Sequence, residues 1–148
     1  MNATTRRMHY RARNAIPLSA LIVAVTAGIV NALVAVGAVA LGAEATGGLQ
    51  PVAYLALTAI AAVAGAAGWH LINRATRRPA AVMRWLVPAF LVVSFVPDFL
   101  VSAAMGWLAT GALMLMHVTT IAIAVPVYAR IMPLRASGSG EDRTSRAG

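Results

Sequence analysis

The stretch "GWHLINRATRRPAAVMRW", Gly68 to Trp85, decides the fold. Its four arginines, Arg74, Arg77, Arg78 and Arg84, lie between two tryptophans, and apolar tracts of about twenty residues flank it on both sides. A basic connection margined by Trp between long apolar tracts has the pattern of a loop at a membrane surface. Reading outward from it gives four helices at about 17–41, 51–73, 81–108 and 110–132, each reaching the ~20 apolar residues that cross a hydrocarbon core. The expected fold is all-α, an integral membrane four-helix bundle running up-down-up-down over residues 15–133.

Composition points the same way. Of 148 residues, 60% are hydrophobic and 11% charged, against roughly 45–50% and 25% in soluble domains. The chain has length for one domain only, and its apolar excess requires lipid. It has no cysteine, which excludes disulfide frameworks, thiolate nucleophiles and thiolate-bound metals.

The net charge of +8 would suggest nucleic acid in a soluble protein. Here all twelve basic residues are Arg, in three groups of four: Arg6, Arg7, Arg11 and Arg13, then the group quoted above, then Arg130, Arg135, Arg143 and Arg146. The groups alternate with apolar tracts, so no nucleic-acid partner is expected. "GAEATGGLQ", after the first span, carries only Glu44, and the connection near "WLATG" carries no charge. The excess of Arg on one side places both termini and the middle loop in the cytoplasm of a multi-pass inner (plasma) membrane protein. A cleaved signal peptide is the rival reading of the start, but the first apolar run is about twice the usual 7–15 residues.

Aromatic positions fit this map as headgroup-level anchors, with Tyr54 and Trp107 near the outer surface and Trp69, Trp85 and Tyr128 near the inner one. Pro17 and Pro51 suit first helical turns, and Pro79 and Pro133 suit positions where helices stop. Pro88, Pro97 and Pro126 fall inside spans, each removing a backbone donor, and Pro97 predicts a kink. Ala61 with Gly65, and Ala64 with Gly68, are small pairs that let helices of this chain approach closely. Residues 1–14 form a basic cytoplasmic arm suited to anionic lipid headgroups, though orientation alone explains such charge. Residues 134–148 are polar and expected to be disordered. "NAT" at Asn2 matches a glycosylation pattern but is placed on the cytoplasmic side.

Asp98 requires an explanation, because a carboxylate at the bilayer centre costs about 2.5–3.5 kcal/mol on the lenient insertion scale. Ser94, Ser102 and Gly106 continue its helical face at four-residue spacing. Counting from the expected turn near Leu108, Asp98 lies ten residues back and His117 nine forward, and Asn31 is ten residues from the end of the first span. At 1.5 Å per residue all three share one depth. Ala24, Ala27, Gly28, Ala35 and Ala38 give Asn31 a small face suited to the bundle interior.

The expected intramembrane polar layer is therefore Asp98, His117, Asn31, Ser94, Ser102 and Thr120. It reads either as a proton-carrying Asp98–His117 pair or as interhelical hydrogen bonds, which average about 0.6 kcal/mol in a measured membrane protein. No second His, Asp or Glu stands at metal spacing from His70, so neither a metal nor a cofactor is expected. No Walker-type loop, HExxH or GxSxG occurs, and nothing supports an enzyme.

"AGAAGWHLINRATRR" closing the second span, Trp85 opening the third, Ser94 with Pro97 in its middle and "LMLMHV" containing His117 resemble the four-helix actinobacterial membrane proteins grouped as domain of unknown function 6069. The resemblance runs over about residues 15–133. It implies a four-helix membrane protein with Ser and His at the positions of Ser94 and His117, and no established activity. Asp98 is not part of the usual pattern. The leading expectation is a non-enzymatic structural or accessory subunit, with a homo-oligomer or another membrane protein as partner. The alternative is a proton-coupled transporter or channel of small solutes using Asp98 and His117.

Overall fold

A computed structural model describes residues 3–45 and 47–135, with side chains from Asn14 onward except at position 101. The side chains of the basic arm and the tail beyond Arg135 lie outside the described residues. The elements are α1 (Ala3–Ala40), a 3-10 turn (Gly47–Leu49), α2 (Pro51–Ala75), α3 (Pro79–Ser94) and α4 (Val96–Ile131). All described elements are helical, and four segments are long and apolar enough to cross a membrane.

α1 carries the arm and the first span in one helix of 38 residues, so Pro17 is inside it and not in its first turn. The helix closes at a glycine in the left-handed region, Gly42 with φ 104°. Ala43 N–H donates to Ala38 O and Gly42 N–H to Val39 O, both at 2.9 Å, which satisfies two terminal carbonyls. α2 opens with Pro51 at its start and ends where Thr76 Oγ1 and N–H both donate to Ile72 O. Pro79 opens α3, where the residue's missing N–H costs nothing.

The third crossing continues from α3 into α4 through an interruption at Phe95. Pro97 falls in the first turn of α4, and so does Asp98. The kink expected at Pro97 is thus a break and restart two residues earlier, with Phe95 N–H donating back to Val92 O at 3.2 Å.

Gly106, inside α4, has φ 80° and ψ 159°. Asp98 and His117 lie 3.2 Å apart, whereas nineteen residues of straight helix would separate them by about 28 Å. The chain therefore folds back at Gly106. The turn lies two residues before the expected connection near Leu108, and Gly106 is the turn itself, not a continuation of the Ser94–Asp98–Ser102 face.

Two apolar clusters hold the bundle. One joins Ala20, Val23 and Ala27 to Ala62, Ala66 and Trp69, and adds Met83, Tyr128 and Met132. The other joins Ala35 and Ala38 to Leu49, Tyr54, Ala109, Ala112 and Met116. The buried face of α2 is therefore Tyr54, Thr58, Ala62, Ala66 and Trp69, one residue out of phase with the expected Ala61–Gly65 pair. Gly65 serves differently: a Cβ there would stand 3.1 Å from Tyr128 Oη.

Three of the expected interfacial aromatics are core residues. Tyr54, Trp69 and Tyr128 are buried. Trp69 Nε1 donates to Met132 O at 2.9 Å, and Tyr128 Oη to Ala62 O at 2.6 Å. The two rings pack at a centroid distance of 5.9 Å. Trp85 and Trp107 are 72% and 75% exposed and stand outside both clusters.

Gly106→Ala should lose about 1–3 kcal/mol, because φ 80° strains any L side chain although a Cβ there meets nothing within 4 Å. Gly111→Ala, equally unobstructed and at ordinary φ, is the control and should be neutral or mildly stabilising. Reversible unfolding in mixed micelles reads both, and equal effects would contradict the turn. In the same assay Tyr128→Phe should cost about 1 kcal/mol for the lost bond to Ala62 O, and an unchanged midpoint would mean that this bond contributes nothing.

Candidate functional site

Asn31 lies between the two apolar clusters and is 2% exposed. Its amide nitrogen donates to Thr58 Oγ1 at 2.9 Å and to Thr120 Oγ1 at 3.1 Å. Its Oδ1 accepts from Thr119 Oγ1 at 2.9 Å. One side chain of α1 is thereby tied to α2 and α4, and both amide protons are used. Its flanking small residues Ala27, Gly28, Ala35 and Ala38 are buried, which lets the neighbouring helices come within hydrogen-bond reach.

Asp98 and His117 form a second polar cluster. Asp98 is 7% exposed, and His117 Nδ1 stands 3.2 Å from its Oδ2. The ring nitrogen is better aligned on Leu113 O, 2.9 Å away on its own helix. Oδ2 is consequently buried with no hydrogen-bond donor among the described residues. A proton on Nδ1 has two acceptors competing for it. Phe95, at the interruption between α3 and α4, meets the imidazole edge-on at a centroid distance of 6.2 Å.

The six residues of the expected layer are thus distributed among three settings. Asp98 meets His117, and Asn31 meets Thr120. Ser94 and Ser102 instead donate to the carbonyls of Leu91 and Phe99, both at 2.7 Å, within their own helix. A lone hydroxyl inside a helix commonly bonds back to its own backbone, which removes it from any shared layer. Thr58 and Thr119 belong to the network and were not foreseen. Thr58 is seven residues from Pro51, short of the nine or ten that the depth argument uses, and a single Thr in an apolar helix carries little signal.

An open-sided cavity of about 110 Å³ connects the clusters. Asn31, Thr58, Thr120 and His117 reach its wall, and Leu57 and Phe90 supply apolar surface. Gly48 and Tyr54 also line it, so it extends toward the connection between α1 and α2. Asp98 lies behind the imidazole and not on the wall. Among the described residues no group of three His, Asp, Glu or Cys stands close enough to hold a metal.

No curated protein and no solved structure matches the chain. A family match extends over residues 11–133, which takes in the four apolar spans and both polar clusters, and the chain accordingly belongs to DUF6069, a family of unknown function.

Proposed function

We propose that the protein is a proton-coupled transporter or channel for a small solute in the cell's inner membrane, with Asp98 and His117 carrying the proton. The observation that carries this reading is the buried Asp98 Oδ2, without a donor and 3.2 Å from an imidazole nitrogen. A carboxylate kept for packing would be matched by donors, because an unmatched one in lipid is costly. An imidazole with one nitrogen facing that carboxylate and its ring on a cavity wall has the parts of a relay. Nε2 gains a proton from the cavity side while Nδ1 passes its own to Oδ2; Asp98 then releases that proton away from the cavity, and the imidazole moves its remaining proton back to Nδ1 by a ring flip, which resets the pair with one proton carried.

In this reading the four spans run up-down-up-down, with both termini and the Arg74–Arg84 loop in the cytoplasm beside anionic headgroups. The cavity, reaching toward Gly48, then opens away from the cytoplasm. The cluster of Trp69, Tyr128 and Met132 closes the cytoplasmic half.

A second reading is favoured by one observation. Within α3 only Pro79 and Met83 are buried, and Trp85, Phe90, Val92 and Val93 are more than 60% exposed. A third crossing held mainly at its two ends suits a non-enzymatic accessory subunit whose partner, a membrane protein or a second copy, packs along that helix. On this reading the protein migrates in mild detergent as part of a larger assembly, and the purified chain alone carries no flux.

Proton flux in proteoliposomes with a trapped pH dye and an imposed potential separates the two. Wild type should exceed empty liposomes, and Asp98→Asn should fall to their level while unfolding no more easily than wild type, since the substitution removes a costly buried carboxyl. Equal flux in the two proteins, or none above background in wild type, would sink the proton pathway.

A further inference from the structure

The cavity is open on one side, and the residues of its wall fix which side that is. Leu57 and Ala61 of α2 and Phe90 of α3 are exposed, whereas Asn31, Thr58 and Met116 are buried behind them. The opening therefore lies between α2 and α3. These helices are consecutive in the chain, yet α2 packs along α1 and only sparsely against α3. Met83, Val87 and Phe90 follow one another at helical spacing on one face of α3. Met83 belongs to the first apolar cluster, Val87 packs on that cluster and Phe90 reaches the cavity wall, so this face leads from the start of α3 to the opening. In a bilayer such an opening is filled by hydrocarbon. Each water there would need two to four polar partners, and Leu57, Ala61 and Phe90 offer none from their side chains.

The other end of the gap lies among arginines. Arg74 in the last turn of α2, Arg77 and Arg78 in the connection and Arg84 in the second turn of α3 are all exposed. The end of α4 is tied to the same place, with Asn73 Nδ2 donating to Pro133 O and Asn73 Oδ1 accepting from Arg135 N–H, both at 3.0 Å. Arg130 and Arg135 thus join the other four. Among the described residues the only carboxylates are Glu44, which follows α1, and Asp98, which faces His117. None of the six arginines has a described carboxylate as partner. Phe90 is eleven residues from Pro79, about 16 Å along α3, and one leaflet supplies about half of a ~30 Å hydrocarbon core. A lipid with its headgroup at the arginines reaches the cavity opening with the end of its chain.

We infer that the gap between α2 and α3 binds one anionic phospholipid, its phosphate held at the Arg74–Arg84 connection and one acyl chain running past Val87 to Phe90, where its end closes the open side of the cavity. The lipid supplies the wall that α2 and α3 leave out. Asn31, Thr58 and Thr120 stay behind it and are reached from the end lined by Gly48. The inference rests on the membrane setting of the proposed function and not on its proton pathway.

The test is photocrosslinking in phosphatidylcholine nanodiscs containing the protein and a small fraction of phosphatidylglycerol that carries a diazirine at the end of one acyl chain, with the modified residues located by mass spectrometry. Label should concentrate on Leu57, Ala61 and Phe90, and excess unlabelled phosphatidylglycerol should remove it. The same diazirine on phosphatidylcholine should spread over the lipid-facing residues without that preference. Arg77→Gln with Arg84→Gln should lower the affinity about fivefold for each Arg removed. Ala61→Phe is the companion variant: it fills the opening from an exposed position, leaves every Arg in place and should clear the label from Phe90. Equal labelling of Phe90 by the two lipids, or labelling unchanged by either variant, overturns the inference. Asp98→Asn should leave the label as it is in wild type. Label without proton flux therefore supports the lipid site and sinks only the proton pathway, whereas flux without the label overturns the lipid site and leaves the pathway standing.

Discussion

The amide of Asn31 is the constraint on which the bundle's interior depends. Lipid gives helices no hydrophobic reason to associate, so contact must come from close packing and from polar groups that have nowhere else to bond. Asn31 supplies both. Its small neighbours admit α2 and α4, and its amide then finds Thr58 on one and Thr119 and Thr120 on the other. Because an amide offers donors and an acceptor in one plane, the three contacts fix rotation about the helix axes as well as depth. The apolar clusters above and below fall into register as a consequence, since Ala27 and Ala35, Tyr54 and Ala62, and Met116 and Tyr128 stand on opposite sides of that layer.

The third crossing obeys a different constraint and is held less firmly. No residue between Met83 and Asp98 is buried. What secures the half next to Gly106 is the turn there and the polar contact of Asp98 with His117. Pro97 restarts the helix so that Asp98 falls in a first turn, where the positive end of the helix dipole favours a carboxylate by about 0.3–1 kcal/mol in exposed sites. That offsets part of the insertion cost and leaves one oxygen for His117. The proline before the aspartate thus explains how a carboxylate is tolerated in an apolar run, and the imidazole explains what it faces.

Helix number and the identity of the polar residues were legible because both depend on signals that sum along the chain: long apolar tracts, grouped Arg and the rarity of charge. Partner choice was not, because it depends on rotation. Depth matching brought Asn31, Asp98 and His117 to one level but could not say that Asn31 would turn to threonines and leave Asp98 to His117. Nor could it show that Ser94 and Ser102 would bond to their own backbone. Tyr54, Trp69 and Tyr128 were read as anchors because an aromatic near a span's end looks the same whether its ring meets headgroups or a neighbouring helix. Their polar atoms settled the matter, in Trp69 and Tyr128 by reaching carbonyls across the bundle.

The Asp98–His117 contact survived an error in the turn for a reason that lies in helix geometry. With the reversal at Gly106, Asp98 is eight residues before the turn and His117 eleven after it, an axial offset of about 4.5 Å. Side chains on a helix lean toward its N-terminus. Asp98 therefore leans away from the turn, and His117, on the returning helix, leans toward it. The two inclinations close the offset and bring Nδ1 within 3.2 Å of Oδ2. The same lean turns the imidazole along the cavity wall toward the end lined by Gly48, whereas Trp69, Tyr128 and Met132 fill the other end with rings and a thioether. In the transport reading proposed above, passage through this interior requires those rings to move. Their two hydrogen bonds to main-chain carbonyls are the contacts that such a movement must break.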